Sequence, residues 1–201
     1  MLKEDLIISA RATLVTLVLT GLLYPLATTG IALIVFPQQA RGSLAADAQG
    51  KEVGSRLIAQ SFSVAAYLQP RPSAAGEKGY DAAGSGGSNL GPTSKALRKR
   101  ASDDLDRLLH DNPDAIGPVP AELVAASASG LDPHLSPGAA LWQVPRIARA
   151  RGLSQGRVRS VIESHLEGRD LLLLGEPRVN VLLVNLALDR QFGKPASMAR
   201  K

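Results

Sequence analysis

The chain contains no cysteine, so no disulfide staples it and no thiolate can hold a metal. Aromatic residues make up 3% of it, which leaves Leu, Val, Ile and Ala to build the core and too few rings for a base-stacking platform. Nucleotide-hydrolysing motifs are also missing. No Gly-Lys-Ser/Thr follows a glycine at P-loop spacing, and the glycines between positions 84 and 91 miss the dinucleotide pattern, with Asn89 at its last place. No serine stands three residues before a lysine. His110, His134 and His165 are scattered, without the local spacing of zinc ligands. These absences exclude a stand-alone nucleotide hydrolase and predict neither a catalytic residue nor a metal site.

What the chain has is a long apolar run. No charge occurs from Ala12 to Ala40, and at about 1.5 Å per residue the stretch Ala12 to Phe36 more than spans a hydrocarbon core of roughly 30 Å. A cleaved signal is the rival reading, with Ser43-Leu44-Ala45 as a faint cleavage site, but its apolar part runs only about 7 to 15 residues. The length predicts a retained transmembrane helix, kinked near Pro25. Lys3 and Arg11 on one side balance Arg41, Lys51 and Arg56 on the other, so charge does not set the orientation. Within the run Thr13, Thr16, Thr20, Tyr24 and Thr28 fall on one helical face. That stripe is either a docking face for partner helices or a set of hydroxyls bonded to their own backbone.

The expected organisation is a short tail at 1–11, a membrane helix at 12–36, a linker at 37–55, an extramembrane α+β domain at 56–192 and a polar tail at 193–201. The N-terminal charges cancel, so the net +5 belongs to the extramembrane part, where it favours an acidic partner or membrane lipid headgroups. A strand is predicted over Arg56–Phe62, followed by a loop from Gln69 to Ser94 rich in glycine, proline and small polar residues. Thr93 caps a helix with the stripe Leu97, Ala101, Leu105, Leu108 and Leu109, stopped at Asn112-Pro113. A short helix is expected at Pro120–Ser127. Ser136-Pro137 opens another helix, which Pro145 kinks or divides; Gly152 ends it. Ser154 caps the next, with Val158, Val161, Ile162 and Leu166 as its core face and Gly168 as its end. Arg178–Val184 reads as a buried strand and Asn185–Gln191 as a closing helix.

Three features could carry binding. Backbone N–H groups of the glycine-rich loop, at Ser85, Gly86, Gly87, Ser88 and Asn89, could face an anion, with Arg71 nearby in sequence; a plain surface loop is the alternative. Trp142-Gln143 pairs a stacking ring with an amide, as a base-binding site would, although a helical tryptophan is more often core. Ile147–Ile162 has the layout of a DNA-reading helix-turn-helix, with Arg157 and Arg159 near the start of its second helix, or else a solvated arginine face.

Four strings in order, RPSAAG at 71–76, SGGSNLGPT at 85–93, SGLDPHLSP at 129–137 and LGEPRVNVLLVNLALD at 174–189, resemble the C subunit of the Kdp potassium-transporting ATPase. The likeness covers nearly the whole chain, membrane helix included, and is far more specific than the helix-turn-helix layout of a membrane-anchored regulator. It implies a non-catalytic accessory subunit of an ATP-driven, high-affinity potassium importer. The implied partners are a potassium-binding channel-like subunit and a P-type ATPase subunit, with no nucleic acid and no covalent cofactor. It further implies a stabiliser of the complex and a catalytic chaperone that raises the pump's ATP affinity, so that ATP is bound only within the complex. The implied place is the inner membrane, single-pass, with the N-terminus cytoplasmic and the domain outside. Under that likeness Gln143 beside Trp142 is the first candidate nucleotide contact and the Ser85–Gly91 loop the second.

Overall fold

Residues 2–195 are described by the computed structural model; the end of the polar tail, from 196 on, lies outside them. The chain divides into two units, 1–44 and 45–201. The first is helical from Leu2, so the tail expected at 1–11 continues the membrane helix. Leu2–Val18 (α1) passes through a π turn at Leu19–Leu23 into Tyr24–Val35 (α2). The π turn lies just ahead of Pro25, whose ring displaces the carbonyl one turn earlier and whose missing N–H breaks the ladder, and the Tyr24 N–H reaches back to Leu19 O. Leu2–Val35 is long and apolar enough to cross a membrane, and none of its apolar window is buried. Pro37–Ala40 (α3) follows.

The second unit is α+β, as expected. Leu44–Ala46 (β1) and Glu52–Ser55 (β2) form a two-stranded sheet at its start. Residues 56–62 are irregular rather than a strand, because their backbone is engaged singly rather than by a ladder: Asn180 Nδ2 donates to Arg56 O at 2.8 Å and the Ala59 N–H to Leu131 O at 2.9 Å. Lys95–Asp111 (α4) is capped by Ser94, one residue later than expected, with the Leu97 N–H donating to its Oγ at 3.4 Å. It buries Leu108, while Leu105 and Leu109 turn to solvent. The helix expected at Pro120–Ser127 is reduced to a 3-10 turn at Ala121–Leu123, and the Ser127 N–H instead donates to Pro72 O.

His134–Leu135 (β3) leads into Pro137–Trp142 (α5), capped by Ser136, and Val144–Arg151 (α6), so Pro145 divides the segment. Gly152 closes α6 at φ +65°, a left-handed position that suits a residue without Cβ. Gln155–Ser164 (α7) buries Val158, Val161 and Ile162. It ends before Gly168, because Leu166–Glu167 (β4) leaves to pair with Arg178–Asn180 (β5), which also puts Leu166 outside the core. β5 is central in the order β3-β5-β4, antiparallel to both, with Leu135 and Leu166 opposite Val179. The strand expected to run to Val184 stops at Asn180, whose side chain accepts from the Leu183 N–H at 3.2 Å and starts Val181–Phe192 (α8). One core joins α5 to α8 with Leu68, Leu108, Leu123, Leu135 and Val179.

Candidate functional site

The four strings singled out in sequence meet in space. Arg71 pairs with Asp132 at 3.3 Å, Ser73 Oγ donates to Gly130 O at 2.6 Å, and Ser85 Oγ and the Gly86 N–H both reach Ser129 O. β3 pairs with β5, and the Val181 N–H donates to Pro133 O. Gly130 sits at the crossing: a Cβ there would stand 2.7 Å from Gly86 O and 2.8 Å from Ala75 N. Asp132 is held below the usual carboxylate range by its hydrogen bonds to His134, with Arg71 adding charge attraction.

Beside this crossing the segment Ala65–Gln69, which leaves a turn closed by the Tyr67 N–H on Val64 O, is gripped by side chains from α6, from α8 and from Gln143 at the junction of α5 and α6. Asn185 of α8 donates Nδ2 to Leu68 O and accepts the Leu68 N–H, at 2.9 and 2.8 Å. Gln143 does the same to Gln69, at 3.0 and 2.9 Å. Arg146 donates to Ala65 O, Tyr67 O and Gln143 Oε1, and Arg151 to Ala66 O. Each amide reproduces the two bonds of a strand neighbour, so Leu68 and Gln69 have the hydrogen bonding of a strand without a sheet. Burial pulls Arg146 down to about 10, which leaves it charged at neutral pH. Arg151 bonds Asp189 Oδ1 at 2.7 Å and lies over the Tyr67 ring, and the Tyr67 hydroxyl donates to Asp189 Oδ2 at 2.8 Å.

Gln143 is 1% exposed. It lines a cleft of about 350 Å³ together with Gln69, Tyr80, Asp104 and Arg107. Trp142 lines a different cleft, also about 350 Å³, with Pro118, Leu141 and Pro145, and its buried Nε1 has no hydrogen-bond partner among the described residues. The structure therefore does not bring ring and amide onto one ligand, and Ser85–Asn89 lines neither cleft. The helix-turn-helix layout is present as α6 and α7, but its arginines are engaged. Arg149 pairs with Asp114, Arg151 with Asp189 and Arg159 with Glu163, and Arg157 lies over Phe192.

Sequence reasoning missed Tyr67, Arg146, Arg151, Asn185 and Asp189. One signal was available: Asn185 lies within VLLVNLALD, four residues after Val181 and so on the apolar face of that helix. In the membrane unit, Thr16, Thr20 and Thr28 donate to carbonyls of their own helix, Thr20 to Thr16 O at 2.7 Å and Thr28 to Tyr24 O at 2.9 Å. Each hydroxyl oxygen keeps acceptor capacity.

These features define a class: a mixed α+β domain carried by one apolar membrane helix, with its buried polar side chains committed to holding its own chain. Residues 6–190 match the family model of KdpC, the c chain of K+-transporting ATPase. The chain is 62% identical to the potassium-transporting ATPase KdpC subunit of Myxococcus xanthus, over 91% of this chain and 86% of that one. With the corresponding subunit of Geobacter sulfurreducens it shares 55% over 86% and 90%, and with that of Methylobacterium nodulans 52% over 96% and 98%. The chain belongs to the KdpC family, a membrane-anchored, non-catalytic subunit of the potassium-transporting ATPase.

Proposed function

We propose that this chain is the accessory subunit of an ATP-driven, high-affinity potassium importer, assembling with a potassium-binding channel-like subunit and a P-type ATPase subunit and stabilising their complex. The observation that carries this reading is the family match across residues 6–190, which includes both the apolar helix and the domain. Tagging the chain and purifying it from membranes in mild detergent tests it: both other subunits should come with it, and a chain recovered alone would refute the assignment.

The same reading places the N-terminus in the cytoplasm and the domain outside the inner membrane, and makes the subunit a catalytic chaperone that raises the pump's ATP affinity. An external domain acts on nucleotide binding through its helix or through the partners' outer loops. Gln143 remains the first candidate contact, supported by its place in the cleft beside Arg107 and Tyr80. A nucleotide would have to displace its bonds to Gln69 and Arg146. Trp142 and the Ser85–Asn89 loop are the further candidates. An unchanged ATP affinity of the complex carrying Gln143→Ala would remove that residue from the hypothesis.

A further inference from the structure

Between β4 and β5 the chain turns through four consecutive leucines, Leu171 to Leu174, which are 83%, 87%, 81% and 60% exposed. They contribute nothing to the domain's core, and an exposed apolar patch marks an interaction site more often than chance. Leu171 and Leu172 have φ of +52° and +65°, a left-handed conformation that glycine or asparagine would adopt more easily. Among the described residues neither core cluster includes these side chains, so core packing does not offset that strain.

The base of the knuckle is braced. Arg178 reaches both oxygens of Asp170 at 3.2 and 3.3 Å and Glu167 at 3.1 Å, and Arg169 reaches both oxygens of Glu176 at 3.0 and 2.9 Å. Asp170 and Leu174 close a backbone bridge beneath the tip. The leucines are thus presented in a fixed shape, which reduces the ordering cost of docking into a shaped site.

The charges decide between a bilayer and a protein. Around the tip stand Glu167, Asp170 and Glu176 against Arg169 and Arg178, an acidic excess that an anionic headgroup layer would repel. Between Gly168 and Asn180 there is no Trp or Tyr, the aromatic belt of a lipid interface, and the two arginines, Arg169 and Arg178, are bonded to carboxylates of the same turn rather than free for headgroups. An apolar centre ringed by paired charges is instead the anatomy of a protein contact.

We propose that Leu171–Leu174 is a docking plug for an apolar socket with a mixed-charge rim on the extramembrane surface of another subunit of the same ATPase. This rests on the chain being an accessory subunit held in that complex.

The test uses the full chain, tagged and co-expressed with the other subunits. Leu172→Asp combined with Leu173→Asp should lower their recovery roughly tenfold, about 1.4 kcal/mol of association. Ile116→Asp, at an apolar residue that is 96% exposed, should leave recovery unchanged. Equal recovery with both variants overturns the plug and leaves the accessory role standing; a wild-type chain that recovers no other subunit overturns both. Because the chain lacks cysteine, Leu173→Cys also takes a single polarity-sensitive dye in lipid nanodiscs. Emission that shifts to the blue only in the assembled complex supports the plug. A blue shift in the chain alone assigns the tip to lipid and overturns it, as does no shift in either. If the double aspartate variant melts below wild type, the dye measurement decides.

Discussion

Asn185 and Leu68, 117 residues apart in sequence, are joined through both sides of one amide, with Nδ2 donating to Leu68 O at 2.9 Å and Oδ1 accepting the Leu68 N–H at 2.8 Å. Both residues are buried, so neither backbone group has water as a substitute partner. Removing the amide strands a donor and an acceptor together.

Asn185→Ala should therefore destabilise the chain by about 2 to 4 kcal/mol, near the cost of two buried unsatisfied groups. Asn185→Leu should not recover this loss, because its partners are backbone atoms that no compensating mutation can make apolar. Urea unfolding of the full chain in detergent measures both; a loss below about 1 kcal/mol, the size of a single net hydrogen bond, would show that the segment finds other partners.

The Tyr67 hydroxyl is pushed up to about 12, first by burial and then by its hydrogen bond to Asp189. Its unfolded value is about 10, so above that pH the unfolded chain loses the proton first and binds fewer protons than the native state. Stability should then fall as pH rises from about 10 to 12, by an amount of order 2 kcal/mol, and Tyr67→Phe should flatten this slope. Arg146, drawn down to about 10 by burial, works in the opposite direction over the same range, so the comparison must be with Tyr67→Phe rather than with a neutral baseline. Denaturant midpoints between pH 9 and pH 12 for both chains check the sign.

The parts of this fold that were legible in sequence are those whose cause is local. Ser136-Pro137, Gly152 and Asn112-Pro113 mark helix ends through side chains or φ values belonging to those residues, and the structure has helix ends there. The grip on Ala65–Gln69 could not be read this way, because Gln143 and Asn185 reach it from 74 and 117 residues away. Arg178–Val184 shows why an apolar run misleads. Periodicity alone cannot separate a buried strand from a buried helix, and the change between them falls at Asn180, whose amide caps α8. A solvated face is one of two readings of the arginines in Ile147–Ile162, yet Arg146 just before them is 3% exposed, since its charge is met by carbonyls of a segment that sequence spacing places far away.

Gly130 and Gly117 share a left-handed φ, +67° and +86°, but differ in surroundings. A Cβ at Gly117 meets nothing within 4 Å, whereas at Gly130 it meets Gly86 O and Ala75 N, both backbone. Gly117→Ala should cost about 1 to 2 kcal/mol from conformation alone. Gly130→Ala should cost at least about 1 kcal/mol more, the scale on which crowding a packed site begins to be felt. Thermal unfolding of the two variants separates the terms; equal losses would mean that the crossing of the four strings yields without strain.

The threonine face of the membrane helix gives the last test, and it bears on assembly. Thr20 closes a 2.7 Å bond to Thr16 O within the π turn ahead of Pro25, so its hydroxyl donor is satisfied without a partner. A helix that were only an anchor would accept Thr20→Leu in lipid at little cost, because leucine is as apolar as the acyl chains. A helix packed through that face against other subunits would lose close approach there and an available acceptor. Under the proposed accessory role, Thr20→Leu should reduce co-purification of the other ATPase subunits several-fold, and Val18→Leu should not. Quantifying the co-purified subunits against the tagged chain reads the difference directly. Equal recovery with the two variants would mean that the Thr13, Thr16, Thr20, Tyr24 and Thr28 face meets lipid.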